Sequence, residues 1–392
     1  MANDQDIISN KISELIPDVV ELILSKLPYY YLPSCRLVCK TWNDVILSSK
    51  HDPSISTASN FLLAHVYFNR CDRLSFRNLH CLELDSDHVE GVRSVASFNL
   101  CRKYFRRSFI STINSCNGLL AFVVTKNTKS WLNSNTVVIL NPMTNEYFEL
   151  PKDEFKGNWL TCSYGFGFCP KTKHYKVVRN STIEDRNSTI EDRYSTVNYK
   201  SEIFSFGTRQ EWTRIESPSC SFNGCHGVYL NGGLHWIGQD DLYQDVIYRL
   251  NMEDEKYKHI PFPNDDGYFP CIGVFNGALH LTLSMEGHEY TMWKMKEDGS
   301  WSKAFSVIVP DVSKNIFSFS KSTVEQVKIC KDGKIFCVWA GVELVLYDPK
   351  TEKMKKLMDD TIVRDFSIHN IDCFNFNALS DILTGKIGKI LF

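Results

Sequence analysis

Within the first fifty positions apolar residues recur at steps of three and four. Val20, Leu24 and Leu27 form one stripe, widened by Val19 and Ile23. Pro17 suits the first turn of a helix, where its missing N–H has no intrahelical partner to lose. The pattern predicts a short amphipathic helix that ends at Leu27-Pro28. A second stripe at Leu32, Cys35, Val38, Cys39, Trp42, Val45 and Ile46 predicts another helix facing the first. Such a unit is below the size at which a domain usually buries enough surface to fold alone. It also carries apolar residues on more than one face, among them Leu22, Ile23 and Leu37. From the pattern alone, packing of the extra face on the rest of the chain and docking to another protein have equal weight.

After residue 57 the texture changes to short runs bounded by Gly, Asn, Asp or Pro. Asn60 to Phe68 and Leu79 to Leu84 read as strands. A weak repeat follows. In each unit a glycine turn opens an apolar strand, and after a gap comes a strand, a polar turn and another strand. The glycine-turn strands are NGLLAF at Asn117, YGFGFCPKTKHYKVVR at Tyr164, LNGGLHWI at Leu230, FNGALHLTL at Phe275 and KDGKIFCVW at Lys331. The polar turns include Asn141-Pro142-Met143-Thr144-Asn145 and Asp348-Pro349-Lys350-Thr351-Glu352. Spacing of this kind belongs to four-stranded propeller blades rather than helical solenoids. The expected fold class is thus α+β multidomain: a small N-terminal helical unit at 10–55, then an all-β propeller-like domain of about six blades at 56–392. The strands at 58–110 are expected to close the ring with a C-terminal segment that includes Ile362 to Phe376. A twisted β-sandwich built from the same hairpins is the competing arrangement.

Composition narrows the function. The chain has 392 residues, 43% of them hydrophobic, which excludes disorder throughout. Its 44 basic and 46 acidic residues give a formal net charge of -2, so nothing draws it generally to phosphate backbones or anionic membranes. Neither nucleic acid nor membrane is an expected partner. The start of the chain is polar, with no apolar signal-peptide core, and a cytoplasmic or nuclear protein is expected. The 14 cysteines are scattered, and most are expected to be reduced, buried thiols. The tight pairs Cys35/Cys39 and Cys220/Cys225 lack a second pair at zinc-ligand spacing. No metal and no cofactor are expected.

Other candidates for chemistry have plainer readings. His226, His235 and His280 recur in or near the glycine-turn strands, a position that argues for packing or a turn hydrogen bond rather than catalysis. No glycine-rich phosphate loop joins a strand to a helix. The basic run Arg102 to Arg107 reads as a strand with solvated arginines. Arg179 to Arg193 contains a tandem duplication, RNSTIEDRNSTIEDR, and is expected to be a mobile surface loop between two strands. Asn180 and Asn187 each begin a glycosylation sequon, unused without export. The chain is not expected to be an enzyme.

Two stretches resemble known families. Glu14 to Leu47 resembles an F-box, with Ile16-Pro17-Asp18, Val20, Leu24, Leu27-Pro28, Leu32, Arg36, Val38-Cys39-Lys40, Trp42 and Ile46 in the positions of that motif. Ile16 stands where leucine is usual, and Tyr29-Tyr30-Tyr31 where small or polar residues usually cap the second helix. The remainder resembles the F-box-associated, kelch-related domain of plant F-box proteins, through SCNGLL at Ser115, LNPMTNEYFELP at Leu140, YGFGFCPKTKHYKVVR at Tyr164 and NGGLHW at Asn231. The resemblance implies a substrate-recognition adaptor of an SCF-type cullin ubiquitin ligase. It would dock on a Skp-type adaptor, and through it on cullin, by Ile16, Pro17, Val20, Leu24, Leu27, Pro28, Leu32, Val38, Cys39 and Trp42, some as contacts and some as core. The β domain would hold a target protein of unknown identity. The alternatives are a propeller enzyme or glycan-binding module, and an F-box protein acting outside the ligase.

Overall fold

The computed structural model describes residues 16–27, 31–48, 60–66, 77–84, 92–99, 108–126, 134–141, 144, 146–151, 159–184, 197–207, 211–222, 226–263, 267–275, 277–285, 289–297, 299–308, 324–329, 333–339, 343–356, 365–370 and 387–389. Among the described residues three helices come first. Helix α1 (Pro17–Lys26) has proline in its first turn and an extended C-cap at Leu27. The second stripe is not one helix but two, α2 (Leu32–Cys35) and α3 (Lys40–Ser48), separated by a turn at 36–38. Tyr31 gives α2 no side-chain cap, and the proline in its first turn presets the backbone instead. The break is bridged by Arg36, whose Nε donates to Asn43 Oδ1 at 3.0 Å.

Strands follow in antiparallel groups. They are β1 (Asn60–Val66), β2 (Arg77–Leu84) and β3 (Val92–Asn99); then β4 (Ser108–Cys116), β5 (Leu119–Lys126), β6 (Ser134–Asn141) and β7 (Glu146–Glu149). The third group is β8 (Trp159–Cys169), β9 (His174–Glu184), β10 (Val197–Ser205) and β11 (Thr213–Ile215). The fourth has β12 (Cys220–Ser221) and β13 (Val228–Leu230) on one edge of β14 (Gly233–Asp240), then β15 (Asp245–Asn251) and β16 (Tyr257–Ile260). The fifth is β17 (Tyr268–Phe275), β18 (Ala278–Ser284), β19 (Glu289–Met295) and β20 (Trp301–Ile308). The sixth is β21 (Val324–Ile329), β22 (Ile335–Trp339), β23 (Glu343–Asp348) and β24 (Lys353–Lys356). Finally β25 (Asp365–Asn370) pairs with β1, and β26 (Ile387–Lys389) pairs with β7. The expected union of the 58–110 strands with the C-terminal segment is thus found in one sheet, β25-β1-β2-β3.

The repeat in the sequence has a physical basis in its turns. Asn117-Gly118 and Asn231-Gly232 adopt positive φ at both positions (49° and 74°, 44° and 70°), the two-residue geometry that matches strand twist. The polar turns are Asx turns. Asn251 Oδ1 accepts from the N–H of Glu253 at 3.1 Å, and Asp348 Oδ1 from that of Lys350 at 3.0 Å.

Among the described residues, four cores lie between successive sheets. Leu119, Ile139, Phe166, Val177 and Phe204 fill the space between the second and third; Val178, Ile203, Leu234, Trp236 and Leu250 that between the third and fourth. Ile237, Ile247, Leu281 and Leu283 lie between the fourth and fifth, and Tyr290, Val307, Ile335 and Val345 between the fifth and sixth. A sheet covered on both faces needs apolar side chains on both, which is why β5 reads as a continuous run from Leu119 to Val124 rather than an alternation.

The duplicated segment departs from expectation. Its first copy is not loop: Arg179 to Glu184 belong to β9, paired with both β8 and β10, and Arg179, Asn180, Ser181 and Thr182 are buried. Asn180 Oδ1 accepts from Ser201 Oγ at 2.7 Å and from Tyr257 Oη of the next sheet at 2.6 Å, while its amide nitrogen has no hydrogen-bond partner among the described residues. Burial leaves no room for a glycan on Asn180. The rest of the duplication, the basic run at 102–107 and Cys225 lie outside the described residues.

Candidate protein-docking site

Helices α1 and α2 both pack against α3. Val20 and Leu24 from the first, Leu32 and Cys35 from the second, and Val45 and Ile46 from the third are buried. Burial pushes the Cys35 thiol above its ordinary pKa, so it remains a protonated core group. A core this small leaves apolar surface over. Ile16 and Leu22 are about three-fifths exposed at 62% and 61%, Leu37 is 87% exposed, and Val19, Ile23, Tyr31 and Val38 are exposed as well.

The ten positions singled out by sequence divide accordingly. Val20, Leu24 and Leu32 are core; Ile16, Pro17 and Val38 are exposed; Leu27, Cys39 and Trp42 are half-buried. Pro28 lies outside the described residues. The Trp42 indole N–H is buried without a hydrogen-bond partner among the described residues. The exposed set extends beyond those ten through Val19, Leu22, Ile23 and Leu37.

In the β domain the histidines are engaged by backbone. His235 Nδ1 lies 3.4 Å from the Val228 carbonyl and His280 Nδ1 3.1 Å from that of Ala278. His226 Nδ1 accepts from the Tyr164 N–H at 3.3 Å. Burial lowers all three: His226 to about 4, His235 to about 4 with Arg249 adding to the effect, and His280 in the same direction. All three are neutral at pH 7. Burial, reinforced by Asp240 and Asp241, pushes the Cys220 thiol up to about 12. Among the described residues no three His, Cys, Asp or Glu side chains converge to hold a metal, and no helix is long and apolar enough to cross a membrane.

Charged groups inside the domain serve to join strands and sheets. Arg179 Nε and Nη2 donate to Glu202 Oε2 at 3.2 and 2.5 Å, and its guanidinium lies 4.4 Å from the centre of the Trp212 ring. Lys200 Nζ reaches Glu202 Oε1 at 2.6 Å. Burial works to raise the Glu202 carboxyl, but Lys200 and Arg179 prevail and hold it below the usual carboxylate range. Lys176 Nζ donates to the Met252 carbonyl and to Glu255 Oε1, both at 2.7 Å, tying the third sheet to a turn of the fourth.

One surface turn was not anticipated from the sequence. Between β14 and β15, Leu242 is 76% and Tyr243 85% exposed, and Tyr243 holds a φ of 60°. Asp240 Oδ1 accepts from the N–H groups of Leu242 and Gln244, each at 2.9 Å, and the Tyr243 N–H donates to the Asp240 carbonyl at 3.0 Å. Tyr199 Oη, from the neighbouring sheet, donates to Asp241 Oδ1 at 2.8 Å.

Comparison with known proteins agrees with this two-part architecture. Residues 12–53 match the F-box domain, and residues 66–381 match the F-box associated beta propeller domain. An F-box protein of Arabidopsis thaliana is 24% identical over 395 residues, covering 88% of each chain. An F-box/kelch-repeat protein of the same plant is 23% identical over 312 residues, 74% of this chain and 78% of that one. Among solved structures, TolB from Acinetobacter baumannii aligns over 85% of this chain and 71% of its own at 12% identity, with a TM-score of 0.42, a likeness too slight to bear on function. The chain belongs to the F-box proteins that carry an F-box associated β-propeller domain after the F-box.

Proposed function

We propose that this protein is the substrate-recognition adaptor of an SCF-type cullin ubiquitin ligase, acting in the cytoplasm or nucleus. The helical unit, residues 10–55, docks on a Skp-type subunit and through it on cullin. The β domain, residues 56–392, is a six-bladed ring that holds a target protein. The ring reading is supported by the series of cores between consecutive sheets, where a sandwich would have one core between two layers. Inner strands also pack in succession: β25 on β4, β4 on β8, β8 on β13, β13 on β17 and β17 on β21.

The observation that carries the docking reading is the exposed apolar surface of Ile16, Val19, Leu22, Ile23, Leu37 and Val38 on a unit too small to cover it. Covering such surface gains about 25 cal/mol per Å² removed from water. A helix face laid in a partner's groove is the usual way to do so. The protein itself performs no chemistry. It raises the effective concentration of the target's lysines near a charged conjugating enzyme.

The test uses the full chain and a recombinant Skp-type adaptor bound to cullin. Replacing Leu22, Leu37 and Val38 together by serine is expected to weaken adaptor binding by about a hundredfold or more, since each lost apolar contact is worth about 1 kcal/mol or more. The far-ultraviolet circular dichroism is expected to stay unchanged. Undiminished binding by that variant refutes the docking face. Binding of the adaptor without cullin moves the protein outside the ligase.

A further inference from the structure

Aromatic residues are poor choices for a left-handed backbone position, because Cβ crowds the carbonyl there at a cost of about 1–2 kcal/mol. Elsewhere in the β domain such positions go to residues that suit them or to flexible polar ones: Asn117, Asn231, Lys173, Glu255 and Glu352. Among the described residues Tyr243 is the exception. Its ring is 85% exposed, so it contributes little packing in return, and its neighbour Leu242 is 76% exposed. The fold gains nothing visible from this pair. What it does is hold them rigidly, through the three hydrogen bonds from Leu242, Tyr243 and Gln244 to Asp240.

The surroundings of the pair are acidic. Asp240 and Asp241 precede it and Asp245 follows, and among the described residues no basic side chain pairs with any of the three. Asp241 is fixed by Tyr199, whose hydroxyl burial and Asp241 together push up to about 12. The turn joins the second and third strands of its sheet. In the ring proposed above it lies at the same end as Glu184 and Val197, where β9 ends and β10 begins. It lies at the opposite end from Asn60, where the chain arrives from the helices.

We propose that the Leu242-Tyr243 turn is a contact point for the target protein, and that it takes a segment in which apolar side chains stand beside lysine or arginine. The apolar tip supplies the anchor, since rigid aromatic side chains dominate binding energy at protein interfaces. Asp240 and Asp241 select the charge and set the orientation. This deepens the reading of the β domain as the substrate-holding part and rests on it.

The test is a selection of randomised twelve-residue peptides on the immobilised full chain, followed by affinity measurement of the enriched peptides. Enrichment of sequences combining lysine or arginine with large apolar residues is expected, with binding that weakens as salt rises. Tyr243→Gly is expected to reduce their affinity at least tenfold while leaving the melting temperature unchanged or higher, because glycine relieves the left-handed strain. Asp241→Asn, which still accepts from Tyr199, is expected to flatten the salt dependence. Failure to enrich any peptide, enrichment of acidic sequences, or equal affinity for Tyr243→Gly overturns the proposal. Adaptor binding by the helices is measured separately, so its loss with intact peptide selection discards the ligase reading and keeps this one.

Discussion

Asn117, Asn231 and Tyr243 share a left-handed backbone, but only the first two are followed by a glycine that shares it. Glycines in this domain play two separable parts. Gly277 has a φ of 68° and open space where a side chain would go, so Gly277→Ala carries backbone strain alone and is expected to cost about 1 kcal/mol. At Gly227 a methyl group would collide with the indole of Trp236, which is fully buried. Gly227→Ala is expected to cost about 2–3 kcal/mol from overpacking. Urea midpoints of the two variants distinguish these causes. The Arg179 and Glu202 pair gives a larger effect. Glu202→Gln removes a buried carboxylate that pairs with both Arg179 and Lys200, and an expected loss of about 3–5 kcal/mol appears in the same measurement. The sequence did not announce that pair. Arg179 opens a polar duplication, and only the register of β9 against β10, Arg179 opposite Glu202, reveals why such residues lie inside.

Elements were legible where the local signal was strong. The stripe of α1 and the Asn-Gly hairpins could be read because each turn type demands its residues. The break between α2 and α3 could not, since the apolar spacing runs on through it from Leu32 to Ile46. Strand β26 carries no pattern in its three residues and exists by pairing with β7. The candidate docking residues were chosen without distinguishing core from surface, because a three-residue step places a side chain on a helix but does not say what lies opposite. Exposure now separates them in a testable way. Val20→Ser is expected to lower both helix content and thermal stability, whereas Leu37→Ser, at an 87% exposed site, is expected to change neither. Circular dichroism of the full chain checks both outcomes.

For the molecule as a whole, acid is the expected weakness. His226 and His235 titrate near 4 when folded and near 6.5 when unfolded, so below about pH 6.5 the unfolded chain binds protons that the native state refuses. Stability is therefore full above that pH and falls toward pH 4, by at most about 1.4 kcal/mol per pH unit for each histidine. Glu202, whose carboxyl is held low, adds to the loss as the pH falls through its folded value. Denaturant titrations from pH 7.5 to 4.5 should show a falling midpoint, and replacing His235 by Gln should shallow it. The pairing of C-terminal strands with N-terminal ones is the other property of the whole. Removing residues 365–392 deletes β25 and β26, baring the edges of β1 and β7, and is expected to give aggregation on size-exclusion chromatography.

The pairing of β1 with β25 also bears on biosynthesis. On the ribosome, β1 leaves the exit tunnel early and waits for a neighbour encoded near the far end of the message. Until translation reaches Asp365–Asn370, the nascent polypeptide displays an unfilled place in its first sheet, the kind of signal by which chaperones and proteases tell an unfinished product from a finished one.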